Sequence, residues 1–184
     1  MSESTLTIVN EKEKAINHYD VKDTFSVSDR GITDVSGMLL KHPQTLAVVN
    51  VEKDEHFQNK DIDILWLYRK KEELLTKKIE VKTDRYAHTG NIFLETISNE
   101  TKNTPGCFLY TEADWIFYYF IDSKELYILP VTATRKWFAT ESNRFREKRV
   151  STSNKGEIWY YSRGTLVPKN ILKKEVPGIK VVKL

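Results

Sequence analysis

The clearest pattern in the chain is an alternation of side-chain types over residues 61–68. Aspartate and leucine occupy the odd positions, and isoleucine, tryptophan and tyrosine occupy the even ones. Successive side chains of a strand point to opposite faces, so this period of two predicts a β-strand. The charged residues 69–73 predict a hairpin turn, and residues 77–82 predict a second strand.

The predicted hairpin brings acidic and basic side chains together. In its second strand, Glu80 and Lys82 share one face, while Ile79 and Val81 share the other. In an antiparallel hairpin the start of the first strand lies beside the end of the second. We therefore expect Asp63 to meet Glu80 and Lys82.

Other elements follow from local composition and turn signals. Apolar and β-branched runs predict strands at 45–51, 91–97 and 125–131. Residues 9–19 have the spacing of a short amphipathic helix. The Ser-Asp-Arg-Gly sequence at 28–31 is typical of a turn.

The C-terminal part of the chain is more basic and more aromatic. Residues 111–120 predict a helix or a helix that runs into a strand, and 133–149 predict a basic helix. Residues 156–167 predict a terminal hairpin with its turn at Arg163-Gly164.

Size and composition indicate one domain with a sizeable core. The chain has 184 residues, of which 40% are hydrophobic and 30% are charged. The longest apolar run, 115–121, is too short to span a membrane, and the N-terminus has no secretory pattern. Cys107 is the single cysteine, so an internal disulfide is excluded. These features predict a cytoplasmic protein with no membrane partner.

The expected meeting of Asp63, Glu80 and Lys82 has a chemical meaning. Two carboxylates and a nearby main-chain carbonyl, here that of Val81, suit a hard cation such as Mg²⁺. The lysine ammonium could stabilise developing negative charge or position an attacking water. A bare Glu-x-Lys is most often a solvated strand face, but the upstream aspartate on a matching strand favours a site. Asp61 lies on the same predicted face and could be the ligand instead of Asp63.

The stretch from Asp61 to Lys82 resembles the PD-(D/E)XK nuclease superfamily. Asp63 matches its first acidic position and Glu80-Val81-Lys82 its second half, while the proline of the name is absent. The resemblance implies Asp63 and Glu80 as metal ligands, Lys82 acting on the water, and Mg²⁺ as cofactor, for which Mn²⁺ is expected to substitute. Its members include restriction enzymes, junction resolvases, recombination exonucleases and transposition endonucleases, which the motif does not separate.

The resemblance also implies an α/β fold. It has a restriction-endonuclease-like αβββαβ core with a central mixed sheet flanked by helices. We expect this core at about residues 45–130 of a single domain, 1–184. The basic helix and the C-terminal hairpin, 133–184, would form an appendage to it.

The charge distribution fits a polyanionic partner. Residues 1–63 carry 7 basic and 12 acidic side chains, whereas residues 64–184 carry 22 and 14. In the predicted basic helix, cations could grip DNA phosphates without reading sequence. They are Arg135, Lys136, Arg144, Arg146, Lys148 and Arg149. The alternative is a solvated helix surface.

The sequence therefore predicts a metal-dependent nuclease acting on DNA. The main alternative is a non-catalytic DNA-binding or assembly protein with a nuclease-like fold, although such a protein would be expected to lose part of the Asp/Glu/Lys set. An RNA-processing endonuclease is a third hypothesis. Since one site cuts one strand at a time, cutting both strands would often need a homodimer. The aromatic runs 115–120 and 159–161 could stack on unpaired bases, although such runs are more often core.

Overall fold

The computed structural model describes residues 18–184, so the helix predicted at 9–19 lies outside the described residues except for its last two positions, which begin a strand. The strands are β1 (His18–Asp20), β2 (Thr45–Asn50), β3 (Ile64–Lys70), β4 (Glu73–Asp84), β5 (Asn91–Asn99), β6 (Thr104–Pro105), β7 (Trp115–Phe120), β8 (Glu125–Pro130), β9 (Arg146–Asn154), β10 (Glu157–Pro168) and β11 (Lys180–Lys183). The helices are α1 (Val21–Leu40), α2 (Glu55–Gln58), α3 (Cys107–Tyr110), α4 (Val131–Glu141) and α5 (Lys169–Glu175).

These strands form two sheets. The central sheet has six strands in the order β11-β8-β7-β4-β3-β2, and the second sheet has five in the order β1-β9-β10-β5-β6. In the central sheet β4 and β7 run parallel, whereas the other neighbours are antiparallel. The protein is thus a mixed α/β fold with a mixed central sheet and flanking helices.

The central sheet is covered on both faces. On one face, α1 packs its apolar side chains, such as Val35 and Leu39, against Ile79, Val81 and Tyr119. On the other face lie the second sheet and the helices α3, α4 and α5. Alternate residues of β7 point into the two cores, which explains why this strand is apolar throughout.

The predicted strands 45–51, 91–97 and 125–131 are confirmed within two residues at each end. The predicted hairpin is also confirmed, with Ile64 paired to Ile79. However, β3 begins at Ile64 rather than at 61, because Asp61 adopts a φ of 47°. That turn breaks the alternation, so Ile62 and Ile64 point into different cores although both are even-numbered.

Three sequence predictions are wrong. Ser28–Gly31 is no turn but part of α1. For 111–120 the prediction of a helix that runs into a strand is half right: residues 115–120 form β7, a strand that is buried on both faces, but no helix occupies 111–114. A continuous apolar run gives no period by which a buried strand could be told from a buried helix.

The predicted basic helix at 133–149 is the second wrong prediction. Helix α4 ends at Glu141, and the chain re-enters the second sheet as β9 from Arg146. The third wrong prediction is the terminal hairpin at 156–167, because these residues belong to one strand, β10. Arg163-Gly164 lies within that strand, opposite an extra residue of β5, Thr96. The chain reverses instead between β9 and β10, at Lys155-Gly156, where both residues have positive φ.

The C-terminal part is built into the protein rather than appended to it. Val167, Leu172 and Val176 are buried in the same hydrophobic cluster as Ile92 and Phe108. Among the described residues, no helix is long and apolar enough to cross a membrane.

Candidate active site

Asp63 immediately precedes β3, and two hydrogen bonds to β4 fix its position. The Asp63 amide donates to the Ile79 carbonyl at 2.9 Å, which continues the antiparallel ladder one residue beyond β3. The Val81 amide then donates to Asp63 Oδ2 at 2.8 Å. The Asp63 carboxylate therefore accepts an amide hydrogen bond that a backbone carbonyl would accept in a longer strand. This bond holds Asp63 beside the Glu80–Lys82 segment.

Glu80 lies beside Asp63 on the face of β4 that looks toward the second sheet. Its side chain is buried, with 7% exposure. Burial first, and then the charges of Asp63 and Asp61, raise the pKa of Glu80 well above its ordinary value. The Glu80 carboxyl shares a hydrogen bond with the Asp63 carboxylate. The predicted meeting of Asp63 and Glu80 is thus present in the fold.

Asp61 joins the same group of acids. The donor atoms of Asp61, Glu80 and Cys107 all lie within 4.8 Å of one another. The Tyr110 hydroxyl donates a hydrogen bond to the Asp61 carboxylate. Burial raises the pKa of Asp61, and this hydrogen bond opposes the shift. Asp61 and Asp63 both reach Glu80, so the geometry leaves both as candidate ligands.

Lys82 also points into this cluster. Its Nζ lies 3.5 Å from Glu95 Oε2 of β5. The pKa of Lys82 is raised well above its ordinary value; the largest contribution would come from a Cys107 thiolate and the next comes from the Glu95 carboxylate. Burial raises the pKa of the Cys107 thiol, so the sulfur is uncharged at neutral pH. Glu95 is therefore the partner that keeps Lys82 a charged ammonium there.

Glu95, Cys107 and Tyr110 are site residues that the sequence patterns did not indicate. Cys107 and Tyr110 come from α3, a four-residue helix without periodicity to mark it. Glu95 could have been found, because it is a carboxylate in the middle of the apolar strand 91–97. A charged residue in a half-buried strand needs a partner.

The donor set can hold a hard divalent cation. Burial is the main reason why the pKa values of three carboxyls are raised, those of Asp61, Asp63 and Glu80. Neighbouring carboxylates raise the pKa values of Asp61 and Glu80 further. Lys82 is the described cation that acts on all three. A bound cation would relieve the repulsion, and carboxylate oxygens are ligands that hard cations prefer. The protonated Cys107 thiol is a softer donor.

Val81 contributes through its backbone. Its side chain packs in the core beneath α1 and its amide is bonded to Asp63. The carbonyl oxygen of Val81 is therefore the atom that would bind a metal, as predicted from the sequence.

A cleft of about 450 Å³ leads to these residues. It lies between the N-terminal half of α1, the end of β4 and the inner face of the second sheet. Its polar lining includes Asp63, Glu80, Lys82, Glu95, Lys148 and Ser162. The Asp63 and Glu80 carboxylates are thus open to a ligand from one side.

The six predicted phosphate-binding cations do not form one surface. Arg135 donates to the carbonyls of Phe108 and Thr111, at 2.8 Å each, and so ties α4 to α3. Arg144 is held by Glu141 and Glu175.

Of the other four cations, Arg149 lies over the Tyr161 ring and pairs with Glu100. Lys136 and Arg146 are exposed. Lys148 lines the cleft. It pairs across the strands with Gly164, which in turn pairs with Glu95, so Lys148 is the predicted cation that lies on the active-site face.

Comparison with known proteins adds no relative. No protein-family model matches the chain, no curated protein matches it, and no solved structure matches it.

Proposed function

We propose that this protein is a Mg²⁺-dependent nuclease that hydrolyses DNA phosphodiester bonds. The observation that carries the proposal is the convergence of Asp63, Glu80 and Lys82 at the end of a cleft. Two hydrogen bonds hold them together: the Asp63 amide donates to the Ile79 carbonyl, and the Val81 amide donates to the Asp63 carboxylate. A solvated strand face would leave these side chains exposed, whereas Glu80 is buried among acids.

The order of elements supports a PD-(D/E)XK-type core. Along the chain α1, β2, β3, β4, α3 and β7 follow the αβββαβ order. Strand β7 lies beside β4 and parallel to it, next to the residues of the site. The departures are the short helix α2 between β2 and β3, the insertion of β5 and β6 before α3, and the shortness of α3.

In this proposal Asp63, Glu80 and the Val81 carbonyl would hold the metal, with Asp61 as the alternative acid. A bound Mg²⁺ would polarise the phosphodiester and make a water more acidic. Lys82 remains protonated, so it acts as a donor that orients the attacking water and stabilises charge developing on the phosphoryl oxygens. Glu95 positions the Lys82 ammonium through the 3.5 Å contact. Lys148 binds a phosphate of the incoming strand by simple charge attraction.

The test is incubation of the purified chain with linear, circular, single-stranded and branched DNA, with Mg²⁺, with Mn²⁺ and with a chelator. We expect cleavage of at least one form with either metal and none with the chelator. Incubation with an RNA of the same sequence tests the hypothesis of an RNA-processing endonuclease. Metal-dependent binding without cleavage of any form would favour the non-catalytic DNA-binding alternative and reject the proposal.

A further inference from the structure

A bulge near the tip of the β9–β10 hairpin changes the direction of one aromatic side chain. Ile158 pairs with Ser153 and Tyr160 pairs with Thr152, so Trp159 is an extra residue in β10. Adjacent side chains of a regular strand point to opposite faces. The Trp159 and Tyr160 rings nevertheless lie with their centroids 5.6 Å apart. The bulge has therefore turned Trp159 toward Tyr160, as bulges beside functional sites often do.

Tyr160 belongs to the wall of the cleft. Tyr160 and Ser162 both line it, and two residues further along β10 Gly164 pairs with Glu95, the partner of Lys82. Four residues of strand correspond to ~13 Å. The aromatic pair is thus on the same sheet face as the active site, at the end nearer the hairpin tip.

Trp159 has no role in the core. Its side chain is 60% exposed, whereas Trp66 and Trp137 are each 9% exposed. The neighbouring Ile158 is 47% exposed. A large exposed aromatic residue that continues the wall of a cleft is the arrangement with which proteins stack unpaired nucleotide bases.

We propose that Trp159 and Tyr160 form a stacking platform for an unpaired base. The substrate of the active site is then a nucleic acid with single-stranded nucleotides close to the scissile phosphate. Bases of an intact duplex are stacked on each other and offer no free face to these rings. At ~3.4 Å per nucleotide, ~13 Å places the platform about four nucleotides from the cut, or fewer in an extended strand. This inference rests on the proposed nuclease function.

The test measures affinity by fluorescence anisotropy for one labelled sequence as a single strand and as a duplex. Lys82→Ala is the background, in Mg²⁺, so that the substrate survives the titration. Adding Trp159→Ala should weaken single-strand binding by about 5- to 150-fold and leave duplex binding unchanged. Trp159→Phe should retain most of the affinity because it keeps an aromatic face. Leu74→Ala, which removes another exposed apolar side chain at the opposite end of β4, should change neither.

Two other results would overturn the platform. In one, Trp159→Ala binds single strands as well as the background does. In the other, single-strand and duplex binding fall equally. In both cases cleavage by the unmodified chain would still stand, so the nuclease proposal would survive. If the unmodified chain neither binds nor cleaves any nucleic acid, both proposals fail together.

Discussion

At the scale of single residues, Asp63 has two roles that substitution can separate. The first is observed, namely that Asp63 accepts the hydrogen bond of the Val81 amide. The second belongs to the proposed function, in which Asp63 holds the metal. Asp63→Asn keeps an oxygen acceptor for the amide, whereas Asp63→Ala leaves a half-buried donor without one. We expect Asp63→Ala to be less stable than Asp63→Asn by about 1–3 kcal/mol in unfolding free energy.

Urea denaturation in a chelator measures this difference, because both variants remove the same charge. Calorimetric titration with Mg²⁺ or Mn²⁺ should show weaker binding for both. Equal stability of the two variants would contradict the role of the Val81 hydrogen bond. If Asp61→Asn loses metal binding and Asp63→Asn keeps it, Asp61 is the ligand.

Glu95 is a positioning residue in the same account. Glu95→Gln keeps the size of the side chain but removes the charge that holds the Lys82 ammonium. We expect the single-turnover cleavage rate to fall about 10- to 100-fold, the range seen when a supporting partner is lost, while affinity for DNA is retained. Because the carboxylate raises the pKa of Lys82, its loss should also lower that pKa, which NMR of a labelled lysine side chain can follow. An unchanged cleavage rate with a lowered lysine pKa would remove Glu95 from the mechanism.

At the scale of elements, the contact of α1 with β4 depends on one glycine. A Cβ on Gly31 would come within 1.9 Å of Thr83 Oγ1 and 2.9 Å of Thr83 Cβ. Gly31→Ala should therefore destabilise the fold by about 1–3 kcal/mol through overpacking, although alanine is the better helix former. Gly37→Ala in the same helix meets no atom within 4 Å and should stabilise by about 0.5–1 kcal/mol.

Thr83→Ala should recover part of the loss when it is combined with Gly31→Ala. The Thr83 hydroxyl is buried and has no hydrogen-bond partner among the described residues, so its removal breaks no hydrogen bond there. Thermal unfolding of the unmodified chain, the two single variants and the double variant completes a double-mutant cycle. Additive effects would mean that the two residues do not meet.

The same glycine shows why part of the fold was hidden in the sequence. Ser28–Gly31 has turn composition, but Gly31 is small because a strand passes close to the helix, and single-sequence patterns do not record such contacts. The β3–β4 hairpin was predictable because its alternation and its charged turn are local. The parallel pairing of β4 with β7 was not predicted, because the resemblance implied only a mixed sheet and gave no strand order.

The candidate site divides in the same way. Asp63, Glu80 and Lys82 are close because a local hairpin register brings them together, and this could be read from their spacing. Glu95 and Cys107 reach the site through β5 and α3, whose approach depends on how the second sheet packs over the central one. Cations spaced along 135–149 suggested one helical surface, but the chain leaves α4 and enters β9, so those side chains are scattered.

At the scale of the whole molecule, the proposed function assigns DNA binding to cations by their position. Lys148 lines the cleft, whereas Arg144 lies with Glu141 and Glu175. Lys148→Ala should weaken binding to all sequences and flatten the slope of log affinity against log salt by roughly 0.9 for duplex DNA, or roughly 0.7 for single strands. Arg144→Ala, the matched control, should leave the slope unchanged. The reverse result would place the bound strand outside the cleft.

If the carboxylates and the Lys82 ammonium at the end of the cleft cut phosphodiester bonds with a divalent metal, cleavage must depend both on Lys82 and on the metal. The most direct measurement is the initial cleavage rate of one labelled DNA by the unmodified chain, by Lys82→Ala and by Lys78→Ala, each in Mg²⁺ and in a chelator. Lys78 is an exposed lysine of the same strand and controls for loss of positive charge. We expect Lys82→Ala to lower the Mg²⁺-dependent rate at least about 100-fold, Lys78→Ala to keep that rate, and the chelator to abolish cleavage. Equal rates for Lys82→Ala and Lys78→Ala, or cleavage that persists in the chelator, would refute the proposed nuclease site.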